Sequence, residues 1–125
     1  MPKRLRKAIS TNRDSVSQAN GFKTVDLYKE GEYNYATAYK LGRICLLVWR
    51  IKQSSTSYWV APKTLDSDML PFDSLFCSSV ILDANGYTRN DCGMVYISEN
   101  GAVGFQSGGS GGTWNAGSFM WIVKS

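Results

Sequence analysis

The sequence predicts an all-β domain, an antiparallel β-sandwich of jelly-roll type with seven or eight short strands, preceded by an extended basic arm. Three observations support this fold class. Short runs of β-branched, aromatic or alternating apolar residues recur from residue 22 onward. Turn-forming Gly, Asn, Asp and Pro separate these runs about every 10 residues, the spacing typical of sandwiches. No segment is a convincing helix, so the strands must bury their apolar faces against each other.

The chain divides into two parts by charge. With 125 residues, 43% of them hydrophobic, it has enough apolar surface for one domain with its own core. Residues 1–20 contain five Lys or Arg and one Asp, a net charge of 5 − 1 = +4, which equals the net charge of the whole chain. We therefore predict a basic arm at residues 1–21 and a neutral β-domain at residues 22–125.

Four strands are predicted in the first half of the domain. Residues 22–28 alternate strictly and form the first strand. An irregular second strand carries Tyr33, Tyr35 and Tyr39. Residues 43–52 are the strongest element, and because their first half is apolar on both faces, we expect a central strand of a packed sandwich. Residues 58–61 form a short strand that stops at Pro62.

Four strands are also predicted in the second half. The apolar run 75–82 ends at an Asp-Ala-Asn-Gly turn, and residues 93–98 and 102–106 form a hairpin. Asn100-Gly101 connects this hairpin, and both residues tolerate the positive φ that a tight turn requires. Residues 107–113 are a glycine-rich loop, and residues 117–123 form the last strand.

Residue types exclude several kinds of chemistry. The chain contains no histidine, which removes histidine-based acid–base catalysis, Ser-His-Asp nucleophiles and most zinc sites. Gly-x-Ser-x-Gly occurs at residues 108–112 without a histidine or a following helix, which indicates a flexible loop. The spacing of Asp66, Asp68 and Asp73 is not that of a calcium-binding loop, so we expect a solvated acidic segment. We predict no catalytic residue, cofactor or metal site.

Cysteine usage and hydropathy indicate the compartment in which the chain folds. Cys45, Cys77 and Cys92 are an odd number without a Cys-x-x-Cys motif, and two of them lie in apolar runs, which favours three reduced thiols over one disulfide. No run reaches the roughly 18 apolar residues of a membrane helix. The basic start lacks the apolar region of a secretory signal. We therefore expect no membrane insertion.

Two sets of residues are candidates for binding. Trp114 follows the glycine-rich loop and Tyr87 follows a turn, and exposed aromatic side chains at such places contact sugars or anchor interfaces. The arm is a candidate docking segment for a protein partner, although it is also compatible with a solvated tail. Nucleic-acid binding is disfavoured because the domain itself has no excess of positive charge. The basic residues of the arm that we expect to dock are Lys3, Arg4, Arg6 and Lys7.

Residues 25–124 resemble the C-terminal head domains of fibres and receptor-binding proteins of tailed bacteriophages. Three features carry the likeness. Gly42-Arg43 leads into the long strand, and Met94 to Val103 is similar to the v-x-I-x-x-x-G-x-V hairpin of these heads. The closing run from Thr113 to Lys124 is similar to their w-x-x-G-x-x-x-w-x-v strand. The resemblance implies a β-sandwich or jelly-roll module, usually trimeric, on a virion that is made in a bacterial cytoplasm.

The chain departs from the fibre plan because it has no shaft of repeats, heptads or collagen triplets, and an arm stands in its place. We therefore expect a non-enzymatic virion protein, a short spike, head fibre or fibre-tip module that attaches to the host. A capsid decoration protein and a free-standing carbohydrate-binding module are the alternatives. A two-carboxylate glycosidase is disfavoured because the acids of the domain lie mostly at turns.

Overall fold

The structure, a computed structural model, describes residues 22–53, 58–107 and 113–124. Eight strands and one short 3₁₀ turn, Ser67–Met69, are present in these ranges. The predicted arm, including Lys3, Arg4, Arg6 and Lys7, lies outside the described residues, as does the glycine-rich segment 108–112. The strands are β1 (Lys23–Lys29), β2 (Tyr35–Leu41), β3 (Ile44–Gln53), β4 (Tyr58–Val60), β5 (Leu75–Leu82), β6 (Thr88–Ile97), β7 (Val103–Gln106) and β8 (Thr113–Ile122).

The eight strands form one continuous sheet in the order β1-β2-β3-β8-β5-β6-β7-β4. Every pairing is antiparallel, and β3 and β8 pair over ten residues from Ile44–Ile122 to Gln53–Thr113. The prediction of an all-β antiparallel domain is therefore confirmed. Its division into the two packed sheets of a sandwich stays a prediction, because the described strands belong to a single sheet.

The sheet curls until its two edge strands meet. The Tyr28 ring of β1 lies edge-on to the Trp59 ring of β4, with centroids 4.9 Å apart. The backbone N–H of Lys63, just after β4, donates to the carbonyl oxygen of Leu27 at 3.4 Å. Register shifts in β1 and β5 mark bulges, which increase local twist and bend a sheet. The curl encloses one face as the core and leaves the other outside.

The core is built from alternate residues of each strand. In β3 the side chains of Cys45, Leu47, Trp49 and Ile51 are buried, because successive side chains point to opposite faces. β3 is central in the sheet, as predicted. Its outer face, however, is not covered as the apolar pattern led us to expect, and Ile44 at its start is 53% exposed.

Three strand boundaries differ from the prediction by more than one residue. β8 begins at Thr113 rather than residue 117, and β6 begins at Thr88 rather than residue 93. Both extensions contain Asn, together with Ala in β8 and Asp in β6, and these residues have low β propensity; the extensions pair with a long neighbouring strand. Tyr33 lies before β2, and the tyrosines that β2 carries are Tyr35 and Tyr39.

The hairpin between β6 and β7 is present, but its turn is not the one predicted. Gly101 has a φ of 100°, whereas no residue other than glycine has a positive φ among the described residues, so Asn100 does not. The N–H of Gly101 donates to the Ser98 carbonyl at 2.9 Å, and the Ser98 N–H donates to the Ala102 carbonyl at 2.8 Å. This pattern fits a type I turn followed by a glycine bulge, which requires left-handed backbone only at the glycine.

The antiparallel order gives the sheet two distinct ends. At the first, which we call the loop end, residues 30–34 and 83–87 form turns, β3 and β7 end, and β4 and β8 begin. At the opposite end, the entry end, β1 begins at Lys23 and the chain turns at residues 42–43, 61–74 and 98–102. The segment around Met69 closes the core at the entry end, where the Trp121 indole donates to the Met69 carbonyl at 2.8 Å.

Candidate functional site

An aromatic and cationic cluster lies on the outer face of the sheet at the loop end. Trp114 of β8 pairs with Lys52 of β3, and Arg50 lies two residues before Lys52 on the same face. The guanidinium carbon of Arg50 is 4.8 Å from the centroid of the Trp114 ring and 5.5 Å from that of Tyr33. The Lys52 ammonium is 5.9 Å from the Trp114 ring. We call Tyr33, Arg50, Lys52 and Trp114 the Trp114 cluster.

The two cations of the Trp114 cluster are not neutralised within the described part of the chain. Neither Arg50 nor Lys52 forms an ion pair with a described carboxylate, and the described ion pairs all lie at the entry end. The Nε atom of Arg50 is buried and has no hydrogen-bond partner among the described residues. Two positive charges beside two aromatic rings therefore remain available to a negatively charged ligand.

A buried polar network supports the cluster from the inner face. The Trp49 indole N–H donates to Oδ1 of Asn115 at 2.9 Å. The Asn115 amide donates in turn to Oε1 of Gln53 at 3.1 Å and to the Gln106 carbonyl at 3.2 Å. The Gln53 amide donates to the Phe105 carbonyl at 3.1 Å. These bonds join β3, β8 and β7 directly beneath Trp114 and hold the outer residues in register.

Tyr87, the second aromatic residue predicted to bind a ligand, lies at the same end of the sheet. Its side chain is 71% exposed, and its backbone N–H donates to Oδ1 of Asp83 at 3.0 Å within the turn. Leu82 of β5 pairs with both Trp114 and Thr88, so one strand separates the two aromatic residues. Two strand spacings correspond to roughly 10 Å, and the structure does not bring Tyr87 into the Trp114 cluster.

The predicted acidic segment is tied to lysines at the entry end. The Lys23 ammonium lies 2.8 Å from a carboxylate oxygen of Asp66 and 2.6 Å from one of Asp68. Lys40 lies 3.4 Å from Asp68. Asp66 and Asp68 are therefore paired rather than merely solvated, whereas Asp73 accepts only the backbone N–H of Ser74 among the described contacts. Within residues 22–53, 58–107 and 113–124, no three His, Cys, Asp or Glu side chains are grouped as metal ligands would be.

The ion pairs predict a small loss of stability in acid. Hydrogen bonding to Lys23 lowers the pKa of Asp68 below its ordinary 3.8, and hydrogen bonding to Asp66 raises the pKa of Lys23 above 10.5. The ion pairs therefore stabilise the folded protein fully at pH values between these two pKa values. This stabilisation is lost as the pH falls through the lowered pKa of Asp68. Because both side chains are partly exposed, we expect Asp68→Asn to cost less than about 1 kcal/mol of unfolding free energy at pH 7.

Urea unfolding of the native protein and of Asp68→Asn at pH 7 and pH 2 checks this prediction. The difference between the native protein and Asp68→Asn should disappear at pH 2. Glu99→Gln is the matched control, because this exposed carboxylate forms no ion pair with a described residue, and we expect no difference at either pH. A difference for Asp68→Asn that persists at pH 2 would show that the charge is not responsible.

The three cysteines are free and far from equivalent. Cys45 is buried, Cys77 is half-buried and Cys92 is exposed. Burial raises the pKa of the Cys45 thiol to about 11 and also raises that of Cys77. Neither is an activated thiolate, since a reactive cysteine needs a lowered pKa. The expectation that Cys45 behaves as a small buried hydrophobic residue is confirmed, whereas Cys77 is only partly covered.

Sequence reasoning found Trp114 but missed its neighbours Tyr33, Arg50 and Lys52. The alternation of β3 was sufficient to place Arg50 and Lys52 on one face. Nothing in the sequence pairs β3 with β8, and this long-range pairing is what brings both cations to Trp114.

Comparison with known protein families finds no family model that matches this chain, and no curated protein is detectably similar to it. In the described ranges, no helix is both long enough and apolar enough to cross a membrane.

Proposed function

We propose that this protein is a structural protein of a bacteriophage virion, a small surface spike, head fibre or fibre-tip module that takes part in attachment to the host. It acts by binding and has no enzymatic activity. The observation that carries the proposal is the separation of the two ends of the sheet. The Trp114 cluster lies at the loop end, whereas β1 begins at the entry end, where residues 1–21 join the domain.

The arm is the anchor in this proposal. Its cationic residues Lys3, Arg4, Arg6 and Lys7 dock on other virion proteins. A protein partner is preferred over nucleic acid, because the domain that follows carries nine residues of each sign and adds no electrostatic attraction to phosphates. Attachment at the entry end leaves the loop end directed away from the particle.

We further infer that the curled sheet is organised as the two layers of a sandwich-like head, β1-β2-β3-β8 against β5-β6-β7-β4. Contacts through the core support this division. The rings of Trp49 in β3 and Phe105 in β7 have centroids 6.1 Å apart, although these strands are not neighbours in the sheet. The amide of Gln53 reaches the Phe105 carbonyl across the same interior.

A trimer is the proposed assembly, and the outer face of β3 and β8 near the entry end is its contact surface. Ile44 pairs with Ile122 and Leu46 pairs with Met120 on this face. Four apolar side chains on or beside this face are exposed: Ile44 (53%), Ile122 (59%), Met120 (64%) and Phe72 (62%). Adjacent exposed apolar side chains mark interaction surfaces, and packing against two further copies would remove them from water.

Replacing Ile122 by aspartate should abolish the trimer. The substitution places a charge in the centre of the apolar surface, where burial without a partner is unfavourable by several kcal/mol. Light scattering coupled to size exclusion should give about three times 13.9 kDa for the native protein and 13.9 kDa for Ile122→Asp. Thr24→Asp, on the outer face of edge strand β1, is the control and should remain trimeric. A native protein of 13.9 kDa would overturn the proposed assembly.

The proposed function is tested on the particles themselves. Virions from the source lysate, purified by density gradient, should contain the chain, and the full-length protein should rebind particles from which it has been stripped. A chain that lacks residues 1–21 should fold but fail to rebind. Absence of the protein from particles would overturn the proposal in favour of a free-standing carbohydrate-binding module. Rebinding to the capsid without any effect on adsorption to cells would instead indicate a decoration protein.

A further inference from the structure

We propose that the Trp114 cluster binds an acidic glycan, a sugar chain that carries carboxylate groups. This inference rests on the proposed role in host attachment and names the class of surface molecule that the loop end would recognise.

The charge of the cluster selects for an anion. Arg50 and Lys52 form no ion pair with a described carboxylate, and Glu30, on the nearby turn, accepts a hydrogen bond from Tyr28 of β1 instead. The planar guanidinium of arginine matches a carboxylate with two parallel hydrogen bonds. A carboxylate that accepts hydrogen bonds from the terminal nitrogens of the Arg50 guanidinium would neutralise one of the two charges.

The aromatic rings indicate that this carboxylate belongs to a sugar unit. The guanidinium carbon of Arg50 lies over both rings, 5.5 Å from the centroid of Tyr33 and 4.8 Å from that of Trp114. Tyr33 is 61% exposed, and Trp114 is partly exposed on the same face. An aromatic ring offers a flat apolar surface together with a polar edge, and a pyranose ring has an apolar face of similar size. One sugar unit can therefore contact a ring while its carboxylate reaches Arg50 or Lys52.

The charge of the whole domain argues against a nucleic acid as the ligand. Single-stranded nucleic acids also combine base stacking with phosphate contacts, but proteins that bind them use a positively charged groove along the backbone. Here the nine acidic residues of 22–125 balance the nine basic ones, and the cluster supplies only two cations. Two cations can neutralise the carboxylates of a glycan that carries one charge on every one or two sugar units. A nucleic acid has a charge on every nucleotide, and its binding normally requires more cations than the cluster supplies.

The experiment measures binding of the full chain to oligogalacturonate and to oligosialic acid by titration calorimetry. The matched probe is the carboxyl-reduced form of the same oligogalacturonate, which has the same rings without the charge. A dT20 oligonucleotide tests the nucleic-acid alternative. We expect at least one acidic oligosaccharide to bind, the reduced form to bind at least about tenfold more weakly, and added salt to weaken binding.

Variants locate the site. Trp114→Ala and Lys52→Gln should each weaken binding of the acidic oligosaccharide at least about tenfold, and Arg50→Lys should weaken it because lysine cannot form the bidentate contact. Lys124→Gln removes an exposed lysine at the entry end and should bind like the native protein. Thermal unfolding checks that each variant remains folded, and Lys52→Gln carries the test if Trp114→Ala does not fold.

Four outcomes would overturn the inference: no binding of either acidic oligosaccharide, equal binding of the carboxyl-reduced form, tighter binding of dT20, or full binding by folded Lys52→Gln and Trp114→Ala. None of these results affects the presence of the protein on particles. A failure of the acidic-glycan inference is therefore distinguishable from a failure of the proposed virion function.

Discussion

Replacing Asn115 by alanine should lower the free energy of unfolding by about 3 kcal/mol, with a matching fall in melting temperature. Asn115 is fully buried, and its side chain makes three hydrogen bonds, to Trp49, Gln53 and Gln106. Alanine removes all three and leaves the buried Trp49 indole N–H without its acceptor. A buried donor that loses its partner costs about 1–3 kcal/mol by itself, and the small cavity adds to this cost.

Urea unfolding at fixed protein concentration measures this effect, because concentration alters the apparent stability of an oligomer. Asn85→Ala is the control, since Asn85 lies exposed in the 83–87 turn and its loss should change stability by less than about 0.5 kcal/mol. The double variant Trp49→Phe/Asn115→Ala should lose less than the sum of the two single variants, because both remove the same hydrogen bond. Additive losses would contradict the proposed network.

The same network links stability to the binding surface. Asn115 follows Trp114 directly and points inward where Trp114 points outward. Loss of the bonds to β3 and β7 should loosen the register that places Trp114 over Arg50. We therefore expect Asn115→Ala to weaken ligand binding at the Trp114 cluster even at temperatures where the variant is still folded.

Replacing Gly93 by alanine should destabilise the protein by about 2 kcal/mol. Gly93 lies in β6 with its missing side chain directed into the core, opposite Ser79 of β5. An added Cβ would lie 2.6 Å from Cδ1 of Ile81, 2.6 Å from Oγ of Ser79 and 2.8 Å from the Gln106 carbonyl oxygen. Ile81 is fully buried and the carbonyl belongs to the backbone, so neither can move aside without disturbing the packing.

A double variant separates this clash from other effects of the substitution. Ile81→Val removes the Cδ1 atom that the new Cβ would strike, so Gly93→Ala/Ile81→Val should be less destabilised than the sum of the single variants. Ser78→Ala is the control, because Ser78 is exposed on the neighbouring strand, and we expect a change within about 0.5 kcal/mol. A Gly93→Ala protein as stable as the native one would contradict the close packing at this position.

The all-β class and the approximate positions of the eight strands could be read from local patterns in the sequence. These features are local, because the two-residue alternation of a strand and the residues that favour turns are visible within ten residues. The position of Gly101 in the β6–β7 turn was also readable, although the turn type was not. The sequence also permitted a positive φ at Asn100. In the structure, the Ser98 N–H donates to the Ala102 carbonyl, and Gly101 takes the positive φ of the turn instead.

Which strands are neighbours depends on long-range pairing in the folded sheet. The order β3-β8-β5 joins segments far apart in the chain, and the apolar patterns of several strands are compatible with more than one order. The Trp114 cluster depends on that order: Lys52 and Trp114 are 62 residues apart, and only the β3–β8 register makes them opposite each other. The network of Trp49, Asn115 and Gln53 likewise forms because the sheet curls and removes these polar groups from water, where each must then find a partner within the chain.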